Sequence, residues 1–495
     1  MTDSRPPAAS AEVHAFERRW IAMIVLLMAS FMNLIDVTIV NVALPSMQKS
    51  LGVTEAGIEW VVAAYILAFA LGLLPFGRYG DIAGKKRIFL IGVSAFTVAS
   101  MLCGLAVNVE MLIASRVIQG IAGAVMTPQV LSIAQIMFPP KERAVAFSLF
   151  GLTAGLASVA GPLTGGLLIH ADVLGLDWRP IFLINLPLGL ACIAAGRILI
   201  PDIKGNPTLK NDWTGIAIAA IAIFCLVFPL IEGRGFGWPA WCFAMMGLFV
   251  VFGLGFLWWE RRQHARGGAE LVPLSLTRNR NFLAAALGTM VLFSAMPGFF
   301  LVLAVFLQTG YQLDPLQSGL TTIPFPVGVL VASLLTGRIG GRLPQLRIVG
   351  GAAMLVVAMI LLRQAVGSSG DMLDRSALML PLLLAGFGTG MTISPLFQTA
   401  LAGVAPRDAG SGSGALQSIQ QMGAALGVAI VSEIFFSSLA RNAAGGADLH
   451  EAFRAAFSTA LLYNICAYIV VAASAALLRP LPMQHAGRHG PAPSE

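Results

Sequence analysis

GRYGDIAGKKR, Gly77 to Arg87, sets five charged residues in eleven positions of a chain that is only 11% charged. A second stretch, GRIGGRLPQLR from Gly337 to Arg347, repeats its Gly-Arg-x-Gly opening and closing Arg. Each stretch follows a Gly-containing apolar run, as two loops on the same side of two equivalent bundles would. The chain around them has 495 residues, is 57% hydrophobic and has a mean hydropathy of +0.82. Such a composition cannot clothe a soluble fold in polar surface, so lipid must solvate most of the exterior. The net charge of +7 is the charge expected of basic residues flanking membrane spans and gives no reason to expect nucleic acid as a partner.

A transmembrane helix needs about 20 largely apolar residues, and about fourteen stretches between charged or Pro/Gly-rich breaks meet that length. The first, Trp20 to Ala43, is longer than a signal-peptide core and lacks a small-residue cleavage site, so it reads as a retained span. Few connections are long. Glu260 to Asn281 and Ser437 to Arg454 are expected to be the longest loops, which leaves no room for a soluble catalytic domain. With the N-terminus inside and each span crossing once, 23 of the 31 Lys and Arg residues fall inside, seven outside, and Arg116 within a span. That asymmetry places both termini in the cytoplasm and favours an even number of spans.

The repeat of the loop in one orientation predicts two six-helix bundles as parallel pseudo-repeats, an all-α architecture. Two additional spans between Asp212 and Glu260 make the total fourteen. The expected division is a cytoplasmic tail over 1–19, a first bundle over 20–200, two inserted helices with flanking loops over 201–281, a second bundle over 282–479 and a cytoplasmic tail over 480–495.

The motifs in order are LIDVTIVNVALP (34–45), WVVAAYILA (60–68), the loop at 77–87, RVIQGIAGAVMTP (116–128), GPLTGGLL (161–168) and DWRPIFLINLPLG (177–189). GFGTGMTISPL (386–396) and SGALQSIQQMGAALGVA (413–429) follow in the second half. In this order, and on these spans, they resemble the major facilitator superfamily, in its fourteen-helix drug:proton antiporter branch. Tyr79, Pro180 and Gln420 depart from the usual family pattern of Leu, an aromatic and Arg. The resemblance implies an exporter of amphipathic, in part cationic, small molecules driven by the proton gradient of a bacterial plasma (inner) membrane. Its implied partners are those substrates, protons and membrane lipids, and the sequence does not decide whether a periplasmic adaptor joins them. It implies no cofactor and no enzymatic activity, and no phosphate-binding G-x-x-x-x-G-K-[ST] stretch suggests ATP use. A same-fold exporter of one native metabolite, lipid or antibiotic remains an alternative. A non-transporting sensor or scaffold is the alternative of another class.

Ionisable residues inside spans are costly and are functional candidates by default. Asp36 and Arg116 lie at compatible depths from the same membrane face, about 12 Å and about 8 Å in at 1.5 Å per residue. The resemblance puts both beside the central cavity as elements of proton coupling, while a permanent interhelical ion pair is the alternative. Glu433 reads as either a proton or substrate site or an interfacial carboxylate. Glu232 and His170 read as hydrated surface groups.

In the loop, positive-inside anchoring explains Arg78, Lys85, Lys86 and Arg87 but not Asp81. A carboxylate there suits a helix N-terminus, and Gly77, Gly80 and Gly84 permit a tight turn or a close approach of backbones. The resemblance implies a latch between the halves at this loop. The second copy has Gly341 in the equivalent place, so a weaker latch or none is expected there. Gly161, Pro162, Gly165 and Gly166 carry the antiporter signature, with small residues for close helix packing and a Pro kink. Asn33, Tyr65, Gln119, Gln417, Gln420 and Gln421 are candidate cavity groups, the last three equally able to bond neighbouring helices. The six His and five Cys residues show no metal-ligand or disulfide spacing.

Overall fold

The computed structural model describes residues 17–53, 55–139, 142–172, 175–339, 343–368, 370 and 373–478. Gly341 and most of both expected tails lie outside them. The first six spans are built by α1 (Arg19–Leu51), α2 (Glu55–Ala83), α3 (Lys85–Gly104), α4 (Val109–Met137), α5 (Arg143–His170) and the pair α6 (Pro180–Leu183) and α7 (Asn185–Leu199). The insertion is α8 (Trp213–Glu232) and α9 (Ala240–Ala265), followed by the short α10 (Leu274–Arg278). The remaining spans are α11 (Arg280–Val305), α12 (Pro315–Thr322) continued by α13 (Pro324–Ile339), α14 (Pro344–Gly367), α15 (Arg375–Ala402), α16 (Ala409–Ala444) and α17 (Leu449–Ala476). Among the described residues, 14 helices are long and apolar enough to cross a membrane.

Local chemistry sets the boundaries. Asn108, Asp212, Asp314, Asp374 and Asp448 each place a side-chain oxygen on a free N–H of the first turn that follows, at α4, α8, α12, α15 and α17. Gly84, at φ +99°, separates α2 from α3 with a conformation that a side chain would strain. Pro324 opens α13 because it has no N–H to continue the ladder of α12.

Two expected loops are shorter than their sequences suggested. Ser437–Arg454 is largely helical, since α16 runs to Ala444 and α17 starts at Leu449. The buried Phe435 anchors the extension through its edge-to-face contact with Phe453, with ring centroids 6.1 Å apart. Glu260 is the other correction. It lies within α9, is 1% exposed and accepts the Leu271 N–H at 3.2 Å, so the charge that looked like a span boundary folds the following segment back on the helix.

Within the first bundle α2 and α4 pack together, with α3 on α4 and α1 on α5. In the second, α11 packs on α16, α14 on α15 and on α17. The α11–α16 approach is backbone to backbone: a Cβ on Gly427 would lie 1.6 Å from the Ser294 carbonyl oxygen. The bundles meet through α2 and α4 against α16 and through α5 against α13 and α15. We call the end where α1 starts and α17 finishes the terminal end, and the other the distal end.

Candidate functional site

Asp36 of α1 and Arg116 of α4 meet directly, both essentially without solvent exposure. Arg116 Nη1 donates to Asp36 Oδ2 at 2.5 Å and to Gln119 Oε1 at 2.6 Å, and its Nε donates to the Val61 carbonyl of α2 at 2.9 Å. Gln119 lies one turn further along α4, on the face of Arg116. Its amide donates to Asp36 Oδ1 at 2.8 Å and to Ser100 Oγ of α3 at 3.0 Å. Asn185, the first residue of α7, donates to the same Asp36 oxygen at 3.3 Å and to Ser100 Oγ at 2.9 Å. The Arg116 guanidinium lies 4.1 Å above the Tyr65 ring, whose hydroxyl accepts from Asn33 Nδ2 at 2.7 Å.

Five spans thus contribute to one buried network around a single carboxylate. A buried ion pair is tolerated when such additional hydrogen bonds satisfy both partners. Protonating Asp36 removes the charge that Arg116 neutralises and leaves the guanidinium with Val61, Gln119 and the Tyr65 face.

Sequence reasoning had Asp36, Arg116, Gln119, Tyr65 and Asn33, and missed Ser100 and Asn185. Asn185 was legible as an amide inside an apolar span, which needs a buried partner. Ser100 carried no such signal.

The second constellation lies at the terminal end. Asp81, 2% exposed, accepts the backbone N–H groups of Gly410 at 2.8 Å and Ser411 at 2.7 Å, the Ser411 hydroxyl at 2.9 Å and Lys85 Nζ at 2.7 Å. Gly410 and Ser411 open α16, so a carboxylate of the first bundle caps the free N–H groups of a helix in the second. The approach demands glycine: a Cβ on Gly77 would lie 2.5 Å from the Gly410 carbonyl oxygen, and one on Gly80 would meet the Gln129 amide. Arg78 pairs with Asp408 at 3.4 Å, and Lys86 donates to the Arg197 carbonyl at 2.8 Å, while Arg87 is exposed.

Other bonds cross between the bundles on this side: Gln135 to the Leu401 carbonyl at 2.6 Å, Ser413 to Pro128 at 2.8 Å and Ser333 to Ser148 at 3.3 Å. The protein is shut at its terminal end. There Arg19, at the start of α1, holds Glu142, just ahead of α5, through two 2.7 Å hydrogen bonds that keep the Glu142 carboxyl below the ordinary value.

The remaining candidates sit apart. Gln417 is buried and donates to the Thr127 carbonyl at 3.2 Å, so it joins the bundles. Gln420 and Gln421 are half-buried on α16. Gly161 and Gly165 press α5 onto α1 at Thr38 and Ile39, within one bundle, whereas Gly166 faces open space. Pro162 lies inside α5. Glu433 is exposed and accepts the Trp238 indole N–H at 3.0 Å, and His170 is exposed at the end of α5. A cavity of about 350 Å³ opens between α11, α16 and α17, lined by Met290, Ser294, Tyr463 and Cys466 among others, apart from Asp36. No group of three or more His, Cys, Asp and Glu residues forms a metal cluster among the described residues.

Residues 26–428 match the family model of the Major Facilitator Superfamily. The chain belongs to that superfamily. It is therefore an integral membrane transporter, with fourteen apolar helices among the described residues. A Probable actinorhodin transporter of Streptomyces coelicolor is 40% identical over 444 residues, covering 90% of this chain and 77% of that one. Puromycin resistance protein pur8 of Streptomyces alboniger is 32% identical over 420 residues, 84% of this chain and 82% of that one. Two solved structures share the fold. The human organic anion transporter MFSD10 (TETRAN) has a TM-score of 0.62 at 18% identity over 92% of this chain and 99% of that one. The proton:xylose symporter XylE has 0.64 at 13% identity over 92% and 95%.

Proposed function

We propose that the protein is a proton-coupled antiporter that exports amphipathic, in part cationic, antibiotics and drugs by alternating access. The observation that carries the reading is the single carboxylate, Asp36, held by Arg116, Gln119 and Asn185 inside the first bundle. In this mechanism Asp36 takes a proton while the distal end is open, substrate leaves, and the proton passes to the other side after the bundles rock. Loss of the Asp36 charge frees Arg116 to redistribute its bonds, which couples protonation to the packing of α1 on α4. One charge moving down 100 mV supplies about 2.3 kcal/mol, so a proton gradient is an adequate energy source without a cofactor. The Lys and Arg asymmetry supports a terminal end facing the cytoplasm of a bacterial inner membrane.

Relatives whose names report puromycin and tetracenomycin C resistance support efflux of antibiotics. A narrower reading, export of one native antibiotic, is favoured by the 40% identical relative, named for a single compound. The test is substrate-triggered proton movement in proteoliposomes under an imposed pH gradient, across a panel of lipophilic cations and neutral polycyclic compounds. Proton flux that needs both substrate and Asp36 is expected, and Asp36→Asn should abolish it. Equal flux in wild type and Asp36→Asn would overturn the assignment, and response to one compound alone would select the narrower reading.

A further inference from the structure

The inserted hairpin is fastened to both bundles, at three levels of the membrane. At the terminal end the linker between α7 and α8 lies flat on the 77–87 loop: the Asn206 N–H donates to the Asp81 carbonyl at 2.8 Å. A Cβ on Gly205 would lie 2.2 Å from the Ile82 carbonyl oxygen and 2.5 Å from the Gly84 nitrogen, so only glycine allows this approach. Mid-span, α8 occupies the groove between the bundles, with Ile223 and Val227 packed on Ala70 of α2 and on Ala425 of α16. At the distal end Trp238 donates its indole N–H to Glu433 of α16 at 3.0 Å, and the Arg234 guanidinium sits 3.5 Å above the Phe436 ring. Glu433 of the second bundle and Glu59 of the first both act on Arg234. α9 packs on α8 and buries little else, so α8 is the element that meets both bundles.

We propose that this hairpin is a clamp on the seam between α2 and α16, stabilising the arrangement that is shut at the terminal end. The linker is bound to the first bundle at one end of the membrane and the Trp238 contact to the second bundle at the other. Rocking of the bundles cannot preserve both attachments, so each conformational cycle must break one of them. Parting α2 from α16 also strips the apolar face of α8 of its partners on one side. Trp238 stands across the 20-residue length of α8 from Asp81, about 30 Å away at 1.5 Å per residue. Its contribution is therefore separable from that of the latch.

The experiment measures the distance between nitroxides on Arg18→Cys and Leu346→Cys, at the terminal ends of the two bundles, by electron-electron double resonance. Cys466→Ser serves as background because Cys466 is exposed and the other four cysteines are buried. Trp238→Phe keeps an aromatic ring at this place but removes the indole N–H donor and part of the indole's packing, whereas Gly205→Ala lifts the linker from the loop. Each should increase the ratio of long to short distances by about threefold to tenfold, the range of one hydrogen bond.

A clamp fails when either end is released, so the double variant should shift no further than the larger single one. Monodisperse elution of each variant establishes that it is folded. Unchanged distances in Trp238→Phe, or additive shifts in the double variant, would overturn the proposal. The readout requires neither substrate nor proton flux, so it stands or fails apart from the transport assignment.

Discussion

Asp81→Asn isolates the latch, because it leaves the side-chain volume unchanged. Wild-type Asp81 offers two oxygens that together accept three hydrogen bonds from α16 and one from Lys85. An amide keeps one oxygen. Its better orientation leaves that oxygen towards Gly410 and Lys85 and turns the NH2 towards Ser411. The Ser411 hydroxyl can rotate to accept, but its buried backbone N–H then faces a donor, which costs about 1–3 kcal/mol. Loss of the negative charge at the start of α16 removes a further contribution of roughly 0.3–2 kcal/mol.

Lys85 belongs to the same bundle as Asp81, so its bond does not enter the balance between conformations. The sum, about 3 kcal/mol, shifts the ratio of shut to open terminal ends roughly hundredfold at 1.4 kcal/mol per decade. The assay is the nitroxide pair at positions 18 and 346, together with transport. A large long-distance population and a fall in turnover are expected. Ser411→Ala, which removes only the hydroxyl bond, should move the ratio by about tenfold or less. A distance distribution identical to wild type in Asp81→Asn would refute the latch.

Arg116→Lys keeps the charge but cannot reach Asp36, Gln119 and the Val61 carbonyl together, so turnover should fall at least about tenfold in the proteoliposome assay while the protein still inserts. Gly427→Ala drives a methyl into the Ser294 carbonyl oxygen and should destabilise by about 1–3 kcal/mol in thermal unfolding. Gly166→Ala, with open space around it, should be neutral or slightly stabilising. The Glu142 carboxyl is held below its ordinary value by Arg19, so its contribution is present above about pH 4.3 and is lost as pH falls through the folded value. Glu142→Gln should lower stability at pH 7 by less than about 1 kcal/mol for this part-exposed pair, and the difference from wild type should shrink as pH falls below the ordinary carboxylate range.

Much of this architecture is legible along the chain because a bilayer imposes length and composition on every span. Asp36 and Arg116 stood out for the same reason, as charges that lipid forbids unless they meet. Asp81 stood out because positive-inside anchoring needs no acid. What was hidden depends on contacts between segments far apart in sequence. Gln417 read equally as a cavity group and as a bond to a neighbouring helix, and the carbonyl that accepts its hydrogen bond belongs to Thr127, 290 residues away. Glu260 looked like the end of a helix because a charge usually is, and only the fold brings the Leu271 N–H to it. Ser100 has the composition of any small helical residue. The linker at 203–206 has no motif, and its importance arises from the backbone of a loop whose importance the sequence does declare.

The Asp36 cluster and the Asp81 contacts sit at opposite ends of the α2–α4 pair. Asp36 takes its hydrogen bonds from Arg116, Gln119 and Asn185, all in the first bundle. Neutralising it therefore breaks no bond between the bundles. The signal must travel as a change in how the first bundle is assembled. Two routes leave the site. One runs along α2 and α4, joined by the Arg116 bond to Val61 near the site and by the Gln129 bond to the Phe76 carbonyl at 2.8 Å beside the latch. The other runs from α1 to α5, where the Thr38 hydroxyl donates to the Ala157 carbonyl at 3.1 Å and Gly161 admits Thr38 against its backbone. The α2–α4 pair is held at both ends and is suited to carry a rotation without deforming. The α1–α5 contact is made by Gly161 and Gly165 against Thr38 and Ile39 together with the Thr38 bond, and α5 is also the helix that faces α13 and α15 across the seam. In the proposed mechanism a change at Asp36 can therefore reach the second bundle through α5, with α2 and α4 moving as the body that the Asp81 contacts hold or release.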